Sequence, residues 1–207
     1  MANIFSPALP TDSSANCYWK DAVGCAKSLA ICNAAAKAAG PILLVCRDNE
    51  TVEQSIRELR YFASNKALEV FNLPDWETLP YDNFSPHQDI ISERLSALHH
   101  LPQLKQGILV VSITSLMHRL PPKQYIAANS LDLSVGQELD IEQIRRELVL
   151  AGYQSVDSVF EHGEFAVRGS IIDIYPMGSP LPYRIDLFDN QIDTLRIFDP
   201  ETQRTDA

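Results

Sequence analysis

Two short, unbroken apolar runs, Ile42–Cys46 (ILLVC) and Ile108–Ser112 (ILVVS), constrain this chain more than any other feature. Each follows a turn signal, Gly40-Pro41 in one case and Gly107 in the other. Neither shows the alternation of a strand with one wet face. Such runs suit strands covered on both sides, which is how parallel sheets are built. The segments around them carry helix signals. Lys27–Ala39 is Ala-rich with apolar residues at helical spacing, and Gly40-Pro41 is a standard stop. Asp48 or Thr51 can cap a helix through Phe62 that turns Val52, Ile56 and Leu59 inward. Leu68–Leu73 reads as another strand. Ser85-Pro86-His87-Gln88 offers an N-cap, a first-turn proline and a capping-box Gln for a helix to about His100. A short helix is expected at Ser115–Leu120. Alternating strands and helices predict a parallel α/β layer.

Pro121-Pro122 marks a boundary, giving expected domains at 1–122 and 123–207. Beyond it the pattern predicts a strand near Leu131–Val135 and a helix capped by Asp140 that runs to Ala151. Closely spaced strands then follow at Val156–Phe160, Glu164–Arg168, Ser170–Tyr175, Tyr183–Phe188 and Thr194–Phe198. Arg184–Asp189 alternates polar and apolar residues, as a half-solvated antiparallel strand does, with a tight turn at Asp189-Asn190-Gln191. The expected fold class is therefore a parallel α/β half-domain followed by a small α+β domain. Pro74–Pro86, long, aromatic and proline-punctuated, stands between a strand and a helix, where α/β proteins often place functional loops.

Charge divides at the same boundary. The chain carries 17 Lys+Arg against 27 Asp+Glu, a net of −10. Residues 124–207 account for −9 of that, with 15 acids and six cations, every one an arginine. An acidic surface of this kind opposes duplex binding, whereas arginine without lysine suits a protein interface or a solvated acidic face. No run is long and apolar enough to span a bilayer, and Met1–Pro7 lacks the basic start and apolar core of a secretory leader, so a cytoplasmic chain is expected. Cysteines 17, 25, 32 and 46 form no C-x-x-C pair and read as reduced thiols.

The search for chemistry yields one motif-like spacing. Asp21-Ala22-Val23-Gly24-Cys25-Ala26-Lys27-Ser28 follows the phosphate-loop pattern Gly-x-x-x-x-Gly-Lys-Ser/Thr, but Asp21 and Ala26 replace its two glycines. A carboxylate repels polyphosphate, and a Cβ at position 26 hinders the backbone nest, so the loop reads as vestigial. No acidic Walker-type strand end follows it. The histidines at 87, 99, 100, 118 and 162 lack metal-ligand spacing, so neither a metal nor a catalytic residue is expected. What remains is a binding face. Arg184 and Phe188, four apart on one strand, share a face, and Arg168 ends a neighbouring strand. Arginine and aromatic residues are the types that dominate interface energetics, although intradomain pairing would use them equally well.

Asp75–Asp82, Phe84–His87, Ile91–Leu95, Glu161–Glu164, Arg168-Gly169, Asp173–Pro176, Pro182–Asp189, Ile192–Arg196 and Phe198-Asp199 form a set of distinctive stretches. Together they resemble the N-terminal region of the bacterial transcription-repair coupling factor (Mfd) family. The resemblance implies a UvrB-like module: a RecA-like half-domain 1A, then domain 2, with half-domain 1B beyond Ala207. It implies a module that does not hydrolyse ATP and recruits the repair protein UvrA through Arg168, Arg184 and Phe188. It also implies that ATP and magnesium serve motor domains elsewhere, that RNA polymerase and DNA bind outside these residues, and that no cofactor belongs to this segment. Two alternatives stay open: a UvrB-like ATP-dependent helicase fragment, and an autoinhibitory clamp folding back on the family's C-terminal region.

Overall fold

A computed structural model describes residues 3–12, 14–64, 68–79, 81–128 and 130–205. Pro80, inside the aromatic loop, lies outside the described residues, as do Met1, Ala2 and the last two positions. The chain forms two compact units. One takes residues up to Glu77 with His100–Leu120; the other takes Thr78–His99 with the residues from Pro121 on.

The first unit is a three-stranded parallel sheet of β1 (Ile42–Cys46), β2 (Glu69–Asn72) and β3 (Gly107–Ser112), in the order β1-β3-β2. The central strand β3 is buried along its whole length, which explains its unbroken apolar run. Helices α1 (Ala26–Ala35) and α2 (Asn49–Ala63) cover one face, where Ile31, Cys32, Val52, Ile56 and Leu59 meet Ile108 and Val110. The Asp48 carboxylate caps α2 by accepting from the Thr51 N–H at 2.8 Å. On the edge strand β1, Leu43 and Val45 remain exposed. Helix α4 (Ile113–Met117) follows β3, its start capped by the Ser112 hydroxyl. It begins two residues before the expected Ser115.

The second unit contains α3 (Gln88–His100, up to His99), α5 (Lys123–Ala128), α6 (Ile141–Leu150) and a five-stranded sheet. Its strands β4 (Gln154–Ser155), β5 (Glu164–Arg168), β6 (Ile171–Ile174), β7 (Tyr183–Phe188) and β8 (Gln191–Ile197) lie in sequence order. All neighbouring pairs are antiparallel except β4–β5. Asp140 caps α6 through the Glu142 and Gln143 N–H groups. The helix lays Ile144 and Leu148 on Phe165, Ile172, Ile174, Ile185 and Leu187, the inward residues of the sheet.

Several expectations need correction. Helix α3 starts at Gln88, because the Ile91 N–H bonds to the His87 carbonyl and the His87 ring accepts from the Asp89 N–H. Ser85 therefore lies ahead of the cap, held extended by the proline that follows it. Leu131–Val135 forms no strand: a turn closes from Ser134 to Gln137, with Gly136 at φ +87°. Val156–Phe160 is not a strand either. The Glu164 carboxylate takes the Phe160 and Glu161 N–H groups, which a ladder would need. The strand pairing with β5 is Gln154–Ser155. Helix α5 was not expected.

Gly107, at the start of β3, has no room for a side chain. A Cβ there would sit 2.9 Å from the Glu69 carbonyl oxygen and 3.0 Å from the Leu104 side chain. Gly107→Ala should therefore cost about 1–3 kcal/mol, read as a lowered urea midpoint. An unchanged midpoint would show that β2 yields freely.

Candidate partner-binding site

One face of the second sheet is the main core; the other carries charged side chains beside a small buried cluster of Val159, Ala166 and Phe198. Register fixes which residues share the charged face. Asp173 on β6 lies opposite Ala166 on β5 and Arg184 on β7, and Arg184 lies opposite Arg196 on β8. Arg168 pairs with Ile171, which pairs with Asp186, itself opposite Thr194. Alternation along β7 buries Ile185 and Leu187 and turns Arg184, Asp186 and Phe188 to this face. A register shift between Asp186 and Leu187 leaves one extra residue on β8, a bulge of the kind that sharpens local twist.

The face is organised around Asp173, which has no accessible surface. Its carboxylate receives Arg184 in a fork, Nε to Oδ1 at 2.7 Å and Nη2 to Oδ2 at 2.8 Å, and Arg168 on Oδ2 as well. A buried carboxylate needs such partners, and bidentate arginine is the strongest form of the pair. The Arg184 guanidinium also lies 4.8 Å over the buried Phe198 ring, and its Nη1 donates to the Gln203 carbonyl at 3.3 Å. Donating hydrogen bonds to the Asp173 carboxylate raises the Arg184 guanidinium above its ordinary value. Asp186 forms the second pair, accepting from Arg196 and from the Thr194 hydroxyl. Burial pushes its carboxyl up, but Arg196, Thr194 and the Arg184 charge outweigh that and hold it below the usual carboxylate range.

Arg168, Arg184 and Phe188, singled out by spacing, thus lie on one sheet face, but in unlike settings. Arg184 is 16% exposed and committed to Asp173; Arg168 is 49% exposed. Phe188 is 74% exposed, an apolar ring at the end of a charged strand. Sequence spacing missed Asp173 and Arg196. The clue to Asp173 was an acid within the apolar run Ile171–Ile174, which demands a partner on the next strand.

The phosphate-loop-like segment has a different geometry. Residues 15–23 hold no strand, and α1 begins at Ala26 after Cys25. Asp21 and Gly24 both have positive φ, +64° and +59°. Lys27 is exposed, whereas Ser28 is buried and donates its hydroxyl to Glu58 at 2.5 Å. That bond, with one from Gln54, holds the Glu58 carboxyl below its ordinary range. Among the described residues no group of three or more His, Cys, Asp or Glu could hold a metal, and no helix is long and apolar enough to cross a membrane.

Residues 131–207, which hold α6 and the whole second sheet, match the family described as the UvrB interaction domain. The transcription-repair-coupling factor of Escherichia coli (strain K12) is 43% identical over 205 residues, covering 99% of this chain and 18% of its own length. That of Haemophilus influenzae is 43% identical over 202 residues, and that of Myxococcus xanthus 35% over 170. The chain is thus similar over nearly its whole length to one part of transcription-repair coupling factors, and it spans less than a fifth of the length of these relatives.

Removing the Asp173 carboxylate leaves the poorly exposed Arg184 without its counter-charge. Asp173→Ala should cost about 3 kcal/mol in urea unfolding, and Arg168→Ala, at a half-exposed site, below about 1 kcal/mol. Equal costs would show that the Arg184–Asp173 pair adds nothing beyond the Arg168 contact. Because the Asp186 carboxyl is depressed in the fold, its contribution to stability is present above its unfolded value of about pH 4 and fades as pH falls through the lower folded one. The gap in urea midpoint between the natural chain and Asp186→Asn should therefore close below pH 4. A gap that is independent of pH would contradict the pairing.

Proposed function

We propose that this chain is a non-catalytic recruitment module that binds UvrA through the outer face of β5–β8, with Arg168, Arg184 and Phe188 in contact. In this reading it brings the excision-repair protein to stalled transcription complexes in the bacterial cytoplasm. The observation that carries the reading is Phe188, an exposed aromatic ring on the same face as pre-paired arginines. An aromatic anchor beside arginines is the composition of an interface hot spot. The family match over residues 131–207 and the similarity to coupling factors are consistent with UvrA as the partner. Arg168 offers donors to partner carboxylates. Arg184 adds its charge and its exposed edge while fixing Asp173.

Nucleotide has no part in this proposal. Magnesium binding would need the Ser28 hydroxyl, which Glu58 engages, and polyphosphate would meet the Asp21 carboxylate. RNA polymerase binding, translocation and the ATP and magnesium they use are assigned to parts of the relatives beyond this chain.

Titrating purified UvrA onto the chain in a calorimeter tests the proposal. Saturable binding should weaken by about 2 kcal/mol in Phe188→Ala while the unfolding midpoint holds. Undiminished binding by that variant would remove Phe188 from the interface. In parallel, a fluorescent ATP analogue should show no saturable uptake; micromolar affinity would favour the UvrB-like motor reading instead.

A further inference from the structure

We infer that Arg196 is a further contact residue of the partner-binding face, held by Asp186 in a pose that addresses carboxylates on an acidic protein surface. The inference rests on the UvrA reading and extends it to a residue that spacing along the sequence did not single out.

Three independent observations support it. The first is register. Arg196 stands directly across the β7–β8 ladder from Arg184, which places it on the face that carries Phe188. The second is access. The Arg196 side chain is 47% exposed, close to the 49% of Arg168, whereas Arg184 is mostly enclosed. Of the three arginines on this face, Arg168 and Arg196 are therefore the ones that can reach outward. The third is posing. Asp186, midway between Arg184 and Phe188 on β7, binds Arg196 through its Nη2, one of the three guanidinium nitrogens, and takes the Thr194 hydroxyl at 2.8 Å. A long side chain fixed in this way loses less freedom on binding than a free one.

Charge identifies the class of partner. Residues 124–207 carry 15 acids and only six cations. Three of those six, Arg168, Arg184 and Arg196, share this one face and alternate with Asp173 and Asp186. An acidic surface would be repelled by most of the domain and attracted here, so the arginines fix where it lands. All three are forks suited to carboxylates rather than point charges.

The test is UvrA titrated onto the natural chain and onto Phe188→Ala, Arg196→Ala and Arg196→Lys, with an unfolding curve for each. Arg196→Ala should lower affinity about tenfold and weaken the salt dependence, with its unfolding midpoint near that of the natural chain. Arg196→Lys, which keeps the charge but not the fork, should recover part of the loss. If Phe188→Ala loses affinity and Arg196→Ala binds within twofold of the natural chain, Arg196 is not a contact and only this inference falls. If the natural chain does not bind UvrA, the recruitment reading fails and the inference falls with it.

Discussion

The buried Asp173 carboxylate is the constraint around which the second unit's outer face is arranged. A charge without accessible surface is stable only when its lone pairs are filled by cationic donors. β6 cannot supply them, because its other residues are Ile171, Ile172 and Ile174. They come instead from β5 and β7, so the pair ties three strands together through side chains as well as through the ladder. Phe198, under the Arg184 guanidinium, and the Gln203 carbonyl beyond it complete the enclosure. Gln203 sits at φ +58° and donates its amide to the Val159 and Pro200 carbonyls, which folds the segment after β8 back over the pair. Orientation of the arginines is thus a property of the fold and precedes any partner.

The unbroken apolar run of β3 was readable because burial on both faces leaves that signature. β1 has its expected bounds, but as an edge strand it leaves Leu43 and Val45 exposed, so its run does not reflect cover on both sides. β7 was readable for a different reason: one wet face writes polar residues into alternate positions. The failures share a cause as well. At Val156–Phe160 and Leu131–Val135 the residues have strand-like composition, but side chains and a glycine turn supply the hydrogen bonds locally. Composition reports what a segment can bury. It does not report where its N–H groups find acceptors, and that competition decided both segments.

The same distinction separates the legible part of the candidate site from the rest. Arg184 and Phe188 are related by separation within one strand, which sequence states directly. The links from Arg184 to Asp173, and from Arg196 to Asp186, cross between strands and depend on register. Between β7 and β8 the register depends on the hairpin turn at Asp189 (φ +53°), which turn chemistry in the sequence signals, and on the bulge near Leu187, which period-two alternation does not reveal. Spacing therefore found residues that share a face without showing which of them are already spent on one another. That difference matters, because Arg184 and Arg168 look equivalent in sequence and are not so in the fold.

The start of α1 extends this argument to the first unit. The spacing from Asp21 to Ser28 resembles a phosphate loop, yet a phosphate loop works because a strand delivers its glycines to a helix N-terminus whose N–H groups face outward. Here irregular backbone leads into α1, and Ser28 turns inward to bond Glu58 on α2. The serine that would serve a metal in a motor instead joins two helices of the layer over the sheet. The exposed Lys27 keeps its place in the pattern without that support. Both units thus use residues suggestive of ligand chemistry for internal pairing, Ser28 with Glu58 and Arg184 with Asp173. They differ in what remains outside the pair. The first unit presents a carboxylate at Asp21, whereas the second presents Phe188 at the end of a strand whose face also carries arginines, which is the composition the proposed recruitment calls for.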